Sequence, residues 1–166
     1  RQRRSLLFLA ALYHDSSKPH SIQIGEDEAI HFIHHATAGG DIIQRRAKAL
    51  SFSNEEVRYL SSSICSHLRP HELALCNDAP NRREIYRYFR SSGEAGVGAC
   101  LLSLADTLAT YRSALPQDLW EKELQTSREL LEAWWNKKQE VIHPRMLING
   151  SDLIQHFNLT PGPLIG

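Results

Sequence analysis

A chain of 166 residues is long enough to bury one real hydrophobic core and short enough to form a single domain. Its apolar share of 42% and charged share of 23% are those of an ordinary soluble globular protein. Lys and Arg number 19, as do Asp and Glu, and this zero net charge argues against a strongly basic nucleic-acid binder or an acidic tail, while leaving room for local patches. Histidines number 9 and cysteines 3, so any metal centre is expected to use nitrogen and oxygen ligands. Cys65, Cys76 and Cys100 form no CxxC pair and are odd in number, which favours a reduced, cytoplasmic chain. No apolar run approaches the roughly 20 residues of a membrane span, and Leu6 to Tyr13 lacks a cleavage site, so neither membrane insertion nor a signal peptide is expected. The chain starts Arg1-Gln2-Arg3-Arg4 and ends on Thr160-Pro161-Gly162-Pro163-Leu164-Ile165-Gly166. Both ends read as limits of a piece cut from a longer chain, with residues 1–166 as one domain.

The predicted elements follow in chain order. Arg4 to Tyr13 is rich in Leu and Ala without a breaker and predicts a buried helix, which runs into His14-Asp15 and is stopped by Pro19. Ser21-Ile22-Gln23-Ile24 alternates, Gly25-Glu26-Asp27 reads as a turn, and Ala29 to Phe32 returns, so a small hairpin is expected between 21 and 33. His35 to Leu50 is helical, with Gly39-Gly40 either weakening it or permitting close approach. Ser53-Asn54-Glu55-Glu56 is a capping signature for a helix with Val57, Leu60, Ile64, Cys65 and Leu68 on one face, running through His67 to a stop at Pro70. From Asn81, a helix should turn Ile85, Tyr86 and Phe89 inward and Arg83, Arg87 and Arg90 outward. Ser92-Gly93 breaks the chain before a small-residue helix from Gly96 to Tyr111. Pro116 opens a long helix to about Val141 with Trp120, Leu124, Leu131 and Trp134 spaced for burial; Pro144 ends it, and a short helix follows Asn149. About seven helices with short connections make an all-α bundle.

Four features carry chemistry. His14-Asp15 sits at a helix end, where the backbone changes direction and lets neighbouring side chains face one point, offering an imidazole and a carboxylate to a divalent cation. Alone, the pair also fits a plain helix-end cap. His35 opens a helix and His67 ends one. Asp106 lies inside Leu101-Leu102-Ser103-Leu104-Ala105-Asp106-Thr107-Leu108-Ala109, where a carboxylate is costly to bury unless it is paired or bound to metal. A second theme is Arg83, Arg87 and Arg90, which share one helix face and could track phosphates, or be a solvated face paired with Glu84 or Glu94. Trp134-Trp135 reads more simply as one core and one edge tryptophan than as a base-stacking site.

Leu9-Ala10-Ala11-Leu12-Tyr13-His14-Asp15 with Lys18-Pro19 resembles the doublet segment of the HD superfamily, in the version found in bacterial tRNA nucleotidyltransferases and poly(A) polymerase-like proteins. The following aromatic, histidine and glycine fit at Phe32, His35 and Gly39, and the Ser-Asn helix start and His-x-x-Pro at Ser53-Asn54 and His67 to Pro70. Tyr86-Arg87-Tyr88-Phe89-Arg90, Leu104-Ala105-Asp106, Gly150-Ser151-Asp152-Leu153 and Pro161-Gly162-Pro163 continue the pattern in order over nearly the whole chain. The resemblance implies an all-α HD fold and a divalent-metal phosphohydrolase acting on phosphate mono- or diesters. It implies His14, Asp15 and Asp106 as core metal ligands, with His35 and His67 completing a second metal position or holding the substrate phosphate. Asp15 and Lys18 would serve catalysis, Lys18 by steadying that phosphate. The metal is open among Mg, Mn, Ni, Co, Fe and Zn. Two departures stand out: Ser17 replaces a glycine, putting a Cβ where φ > 0 is a possible need, and no histidine precedes His14 to supply the family's first ligand. The rival expectation is a non-catalytic, RNA-binding or scaffolding domain of a nucleotidyltransferase-like parent, using Arg83, Arg87 and Arg90. Nucleotidyl transfer itself has no home here, since no G-x-x-x-x-G-K loop or strand-rich head is present.

Overall fold

The structure, a computed structural model, describes residues 2–25, 28–76, 79–145, 148–158, 160 and 162. Among these the architecture is all-α, with helices α1 (Arg3–Tyr13), α2 (His35–Ala49), α3 (Asn54–Cys65), α4 (Arg69–Cys76), α5 (Arg82–Ser92), α6 (Ala95–Tyr111), α7 (Gln117–Asn136) and α8 (Gly150–Phe157). The expected hairpin forms as β1 (Ile22–Ile24) antiparallel to β2 (Ile30–Phe32), with Ile22 opposite Phe32 and Ile24 opposite Ile30. Of its turn, Glu26 and Asp27 lie outside the described residues, as do Pro161 and the Pro163 to Gly166 end of the family-like tail. No helix among the described residues is long and apolar enough to cross a membrane.

Two apolar clusters share α6. Leu6 and Ala10 of α1, Ile43 and Ala47 of α2, and Val57, Leu60 and Ile64 of α3 pack with Ala95 and Leu102. Ile85, Tyr88 and Phe89 of α5 pack with Cys100, with Leu130 and Ala133 of α7, and with Val141 and Ile142 from a π-helical turn at Lys138–Ile142. Ser53 and Asn81 cap α3 and α5, each with the glutamate three residues on returning a bond to the cap backbone. α2 and α3 run tightly together because Gly39 and Gly40 carry no side chain. A Cβ at Gly40 would collide with Cys65 Sγ, and one at Gly39 would press on the His14 carbonyl oxygen at 3.1 Å. Gly39 thereby sets how closely α2 approaches the end of α1.

Several sequence expectations are corrected. α1 is not buried all round: Leu6 and Ala10 are buried, but Phe8 and Leu12 are exposed. α3 ends at Cys65, which faces solvent, and Pro70 does not close a helix but sits in the first turn of α4, where its missing N–H costs nothing. In α5 the buried tyrosine is Tyr88, whose hydroxyl donates to the Gly96 carbonyl at 2.7 Å, while Tyr86 is only half-buried. The face that α7 buries fully is Glu123, Thr126, Ser127, Leu130 and Ala133; of the expected stripe, Leu131 and Trp134 pack partly buried against the core and Leu124 is exposed. Trp134 packs on Phe89 with ring centroids 5.0 Å apart, and Trp135 is exposed, as the simpler reading of that pair expects.

Candidate metal centre

Three helix ends and the side of α6 meet at one place. His14 and Asp15 follow α1, His35 opens α2, His67 lies in the turn between α3 and α4, and Asp106 projects from the last third of α6. His14 Nε2 stands 3.4 Å from Asp15 Oδ2 and 3.4 Å from Asp106 Oδ1, while His35 Nε2 stands 3.7 Å from Asp15 Oδ1. The His67 ring lies edge-on to those of His14 and His35, with centroids at 5.2 and 5.5 Å. One ligand atom each from His14, Asp15 and His67 fall within 4.8 Å of one another. His67 thus belongs with the doublet itself, and Asp106 and His35 close the ring on either side.

The backbone fixes which nitrogen each histidine presents. Nδ1 of His14, His35 and His67 bonds to the carbonyl oxygen three residues earlier, of Ala11, Phe32 and Ile64, at 2.8, 2.8 and 2.6 Å. A carbonyl only accepts, so each Nδ1 carries a proton and each Nε2 is left to face the centre. Such outer partners are the usual means of orienting a metal-bound imidazole. Buried Asp15 Oδ1, His35 Nε2 and His67 Nε2 find no hydrogen-bond partner among the described residues. All three offer lone pairs, and a cation held by His14, Asp15 and His67 would meet those of Asp15 and His67. Bonds of about 2.1 Å to a tetrahedral metal put ligand atoms about 3.4 Å apart, close to the spacings found here. The residues present therefore fit a divalent cation.

Charge at the centre is arranged the same way. His14 is pushed up to about 10, first by its bond to Asp106 and then by Asp15, so without metal it is an imidazolium between two carboxylates. Burial alone would raise Asp15, but His14 and Lys18 outweigh it and hold the carboxyl well below its usual range. Asp106 is lowered by His14, and burial depresses His67, keeping its Nε2 neutral. Lys18 Nζ pairs with Asp15 Oδ2 at 2.7 Å. The serine in place of glycine is not strained: Ser17 has φ −92°, is fully buried, and donates from Oγ to the His35 carbonyl at 2.5 Å, tying the doublet loop to α2. Arg83, Arg87 and Arg90 are exposed on α5.

Sequence reasoning missed a neighbouring pair. His71 of α4 bonds through Nδ1 to Oε1 of the buried Glu123 of α7, an oxygen that also accepts from Thr107 Oγ1 at 3.0 Å. Glu123 sits in Glu121-Lys122-Glu123, which reads as a solvated face. Its spacing with Thr126, Ser127, Leu130 and Ala133 (three, four, seven and ten residues on) was the signal that it lies on the buried side.

A helical bundle with His-Asp at one helix end and a distant aspartate closing the cluster defines the HD class. The family model for the HD domain matches residues 1–111, a stretch holding all five centre residues, and the chain belongs to that family. It is also similar to the CC-adding tRNA nucleotidyltransferase of Synechocystis sp. (strain ATCC 27184 / PCC 6803 / Kazusa), at 26% identity over 125 residues. That stretch covers 75% of this chain and 26% of the relative, so the chain spans about a quarter of that protein's length.

Proposed function

We propose that this domain is a metal-dependent phosphohydrolase that cleaves phosphate mono- or diesters, with His14, Asp15, His35, His67 and Asp106 holding one or two divalent cations. The observation that carries the reading is the cluster of His14, Asp15 and His67, whose ligand atoms lie within 4.8 Å of one another, with buried Asp15 Oδ1 and His67 Nε2 left without a hydrogen-bond partner among the described residues. A divalent cation there supplies a water of pKa near 7 and neutralises charge on phosphoryl oxygens. The chain's own residues do the rest. Asp15 and Asp106 supply the negative charge that holds a cation, and the Nδ1 bonds keep three imidazoles from turning away. Lys18, now paired with Asp15, lies at the edge of the centre 5.4 Å from the Phe32 ring, placed to meet a substrate phosphate. The domain would work reduced and in the cytoplasm, as one unit of a longer parent: all three cysteines are free, and burial pushes Cys100 up to about 12, leaving it inert. The test is turnover of p-nitrophenyl phosphate and 2′,3′-cyclic nucleotides with Mg²⁺, Mn²⁺, Ni²⁺ or Co²⁺. Turnover lost in Asp15→Asn supports the reading, and silence with every metal refutes it.

A second reading has its own observation. The exposed Arg83, Arg87 and Arg90 form a basic stripe, and the Synechocystis relative is named for tRNA, so a non-catalytic RNA-facing or scaffolding role is the rival. Affinity for tRNA that falls steeply with salt and weakens in Arg87→Ala would favour it. Salt-insensitive or absent binding would remove it.

A further inference from the structure

The outer side of α6 and α7 carries apolar surface that the described residues leave uncovered. Leu101, Leu108, Leu124 and Trp135 are 45%, 47%, 43% and 64% exposed. A groove of about 470 Å³ lies beside them, with Leu104, Leu124, Arg128, Leu131, Glu132 and Trp135 in its walls. On α6, Leu101 and Leu108 flank Leu104 at helical spacing. On α7, Leu124, Arg128, Leu131 and Trp135 follow at intervals of four, three and four, which is the spacing of a coiled-coil seam and not of a solvated face. At about 200 Å² for a large side chain, the open parts of the four exposed residues amount to about 400 Å² of apolar surface. A monomer rarely leaves that much contiguous apolar surface without a use. A standard interface takes about 800 Å² from each partner, a little over half of it apolar, so this face comes close to what one side of a stable dimer needs.

Its charges choose the occupant. Arg128 is exposed and makes no hydrogen bond or ion pair among the described residues. Glu132, one turn further on, meets Lys137 through Oε1 at 2.8 Å, which leaves Oε2 open. A cation and an anion one turn apart on a single helix are complementary to themselves when that helix meets its own copy antiparallel. In the parallel arrangement Arg128 would face Arg128. In the antiparallel one, Leu124 packs on Trp135 of the second copy. The stem of Arg128 then lies along that copy's Leu131, and its guanidinium reaches Glu132. A two-fold axis makes each contact twice. We propose that the chain forms a homodimer through the outer face of α6 and α7, with α7 antiparallel to its copy. Such a dimer needs no activity at the metal centre.

Sedimentation equilibrium of the full chain between about 1 and 100 µM should show monomer passing to dimer, because interfaces of this size hold at micromolar concentrations or below. Trp135→Glu should weaken the dimer by about thirtyfold or more, the scale of losing a central aromatic anchor. Its far-UV circular dichroism should be unchanged, since the side chain is mostly in solvent in the monomer. Arg128→Glu and Glu132→Arg should each weaken the dimer by about tenfold or more through like-charge contact, and the two together should restore it. The charge exchange, made at the surface, keeps the test decisive if Trp135→Glu fails to fold. A chain that stays monomeric across the range overturns the proposal, as does a dimer indifferent to Trp135→Glu, which would lie on another face. A double exchange that binds no better than either single change overturns the antiparallel arrangement.

Discussion

His14 is held between Asp106 and Asp15, and its protonation links stability to metal binding. Its folded-state pKa, about 10, lies above the ordinary histidine value, so the stability it contributes is complete below about pH 6.5 and drains away as pH rises toward 10. Asp15 and Asp106 are displaced downward, so their contribution is present above the ordinary carboxylate range and is lost as pH falls through it. The metal-free protein should therefore lose denaturant resistance between pH 6.5 and 10, and His14→Asn should flatten that slope; an unchanged slope would show that the pairing is not felt in the fold. The same proton must leave before a cation takes His14 Nε2. Calorimetry at pH 7.5 in buffers of different ionisation enthalpy should report release of about one proton per cation, and none from the His14→Asn variant. Single residues were also the most readable part of the sequence. Asp106 stood out because its neighbours are apolar, and the doublet because it lies at a helix end. Glu123 did not, because the charges beside it disguise a buried position, and the role of Ser17 needed a partner, the His35 carbonyl, 18 residues away.

At the scale of elements, the adjacent glycines of α2 do two separable jobs. A Cβ on Gly40 meets Cys65 of α3, while one on Gly39 meets the His14 backbone and Ile64. Overpacking of this kind costs about 1–3 kcal/mol. Gly40→Ala should lower the unfolding midpoint with little change in metal affinity, whereas Gly39→Ala should lower both, because it pushes on the backbone of His14, a proposed ligand. Equal effects on metal affinity, measured by titration calorimetry, would contradict the assignment of Gly39 to the site. Element boundaries were legible where a local signal exists: the helix starts at Ser53 and Asn81 and the break at Gly93, whereas α1 ends at Tyr13, well before Pro19, which sits in a short 3-10 turn at Lys18–His20. They were misread where one signal has two meanings. Pro70 equally ends one helix or begins the next, and only the fold shows the turn at His67 that makes α4 a separate helix. The buried face of α7 was misread for a related reason. α7 packs on α4 and α6 with its small and polar residues fully buried, while Trp134 reaches only the edge of the core, against Phe89.

The whole molecule is braced around the centre. The five side chains come from four separate stretches of chain, the end of α1, the start of α2, the turn before α4, and α6, and the α1–α3 core cluster packs against α6. Without metal the brace consists of one imidazolium, two carboxylates and Lys18. A cation held by His14, Asp15 and His67 would also give the lone pair that His67 leaves unpartnered a partner, and would tie the end of α1 to the turn before α4. A ligand that binds only the folded state stabilises it by about 2.7 kcal/mol at one hundred times its Kd. For a chain of this size roughly 2–4 °C accompany each kcal/mol. Saturating the protein to that level should thus raise Tm by roughly 5–11 °C, a gain that a chelator reverses and that Asp15→Asn, which removes the anionic ligand shared by the neighbourhoods of His14 and His35, should nearly abolish. A rise that survives Asp15→Asn would place the cation on some other surface, because no cation held by this cluster can be indifferent to the carboxylate lying within 4 Å of two of its imidazoles.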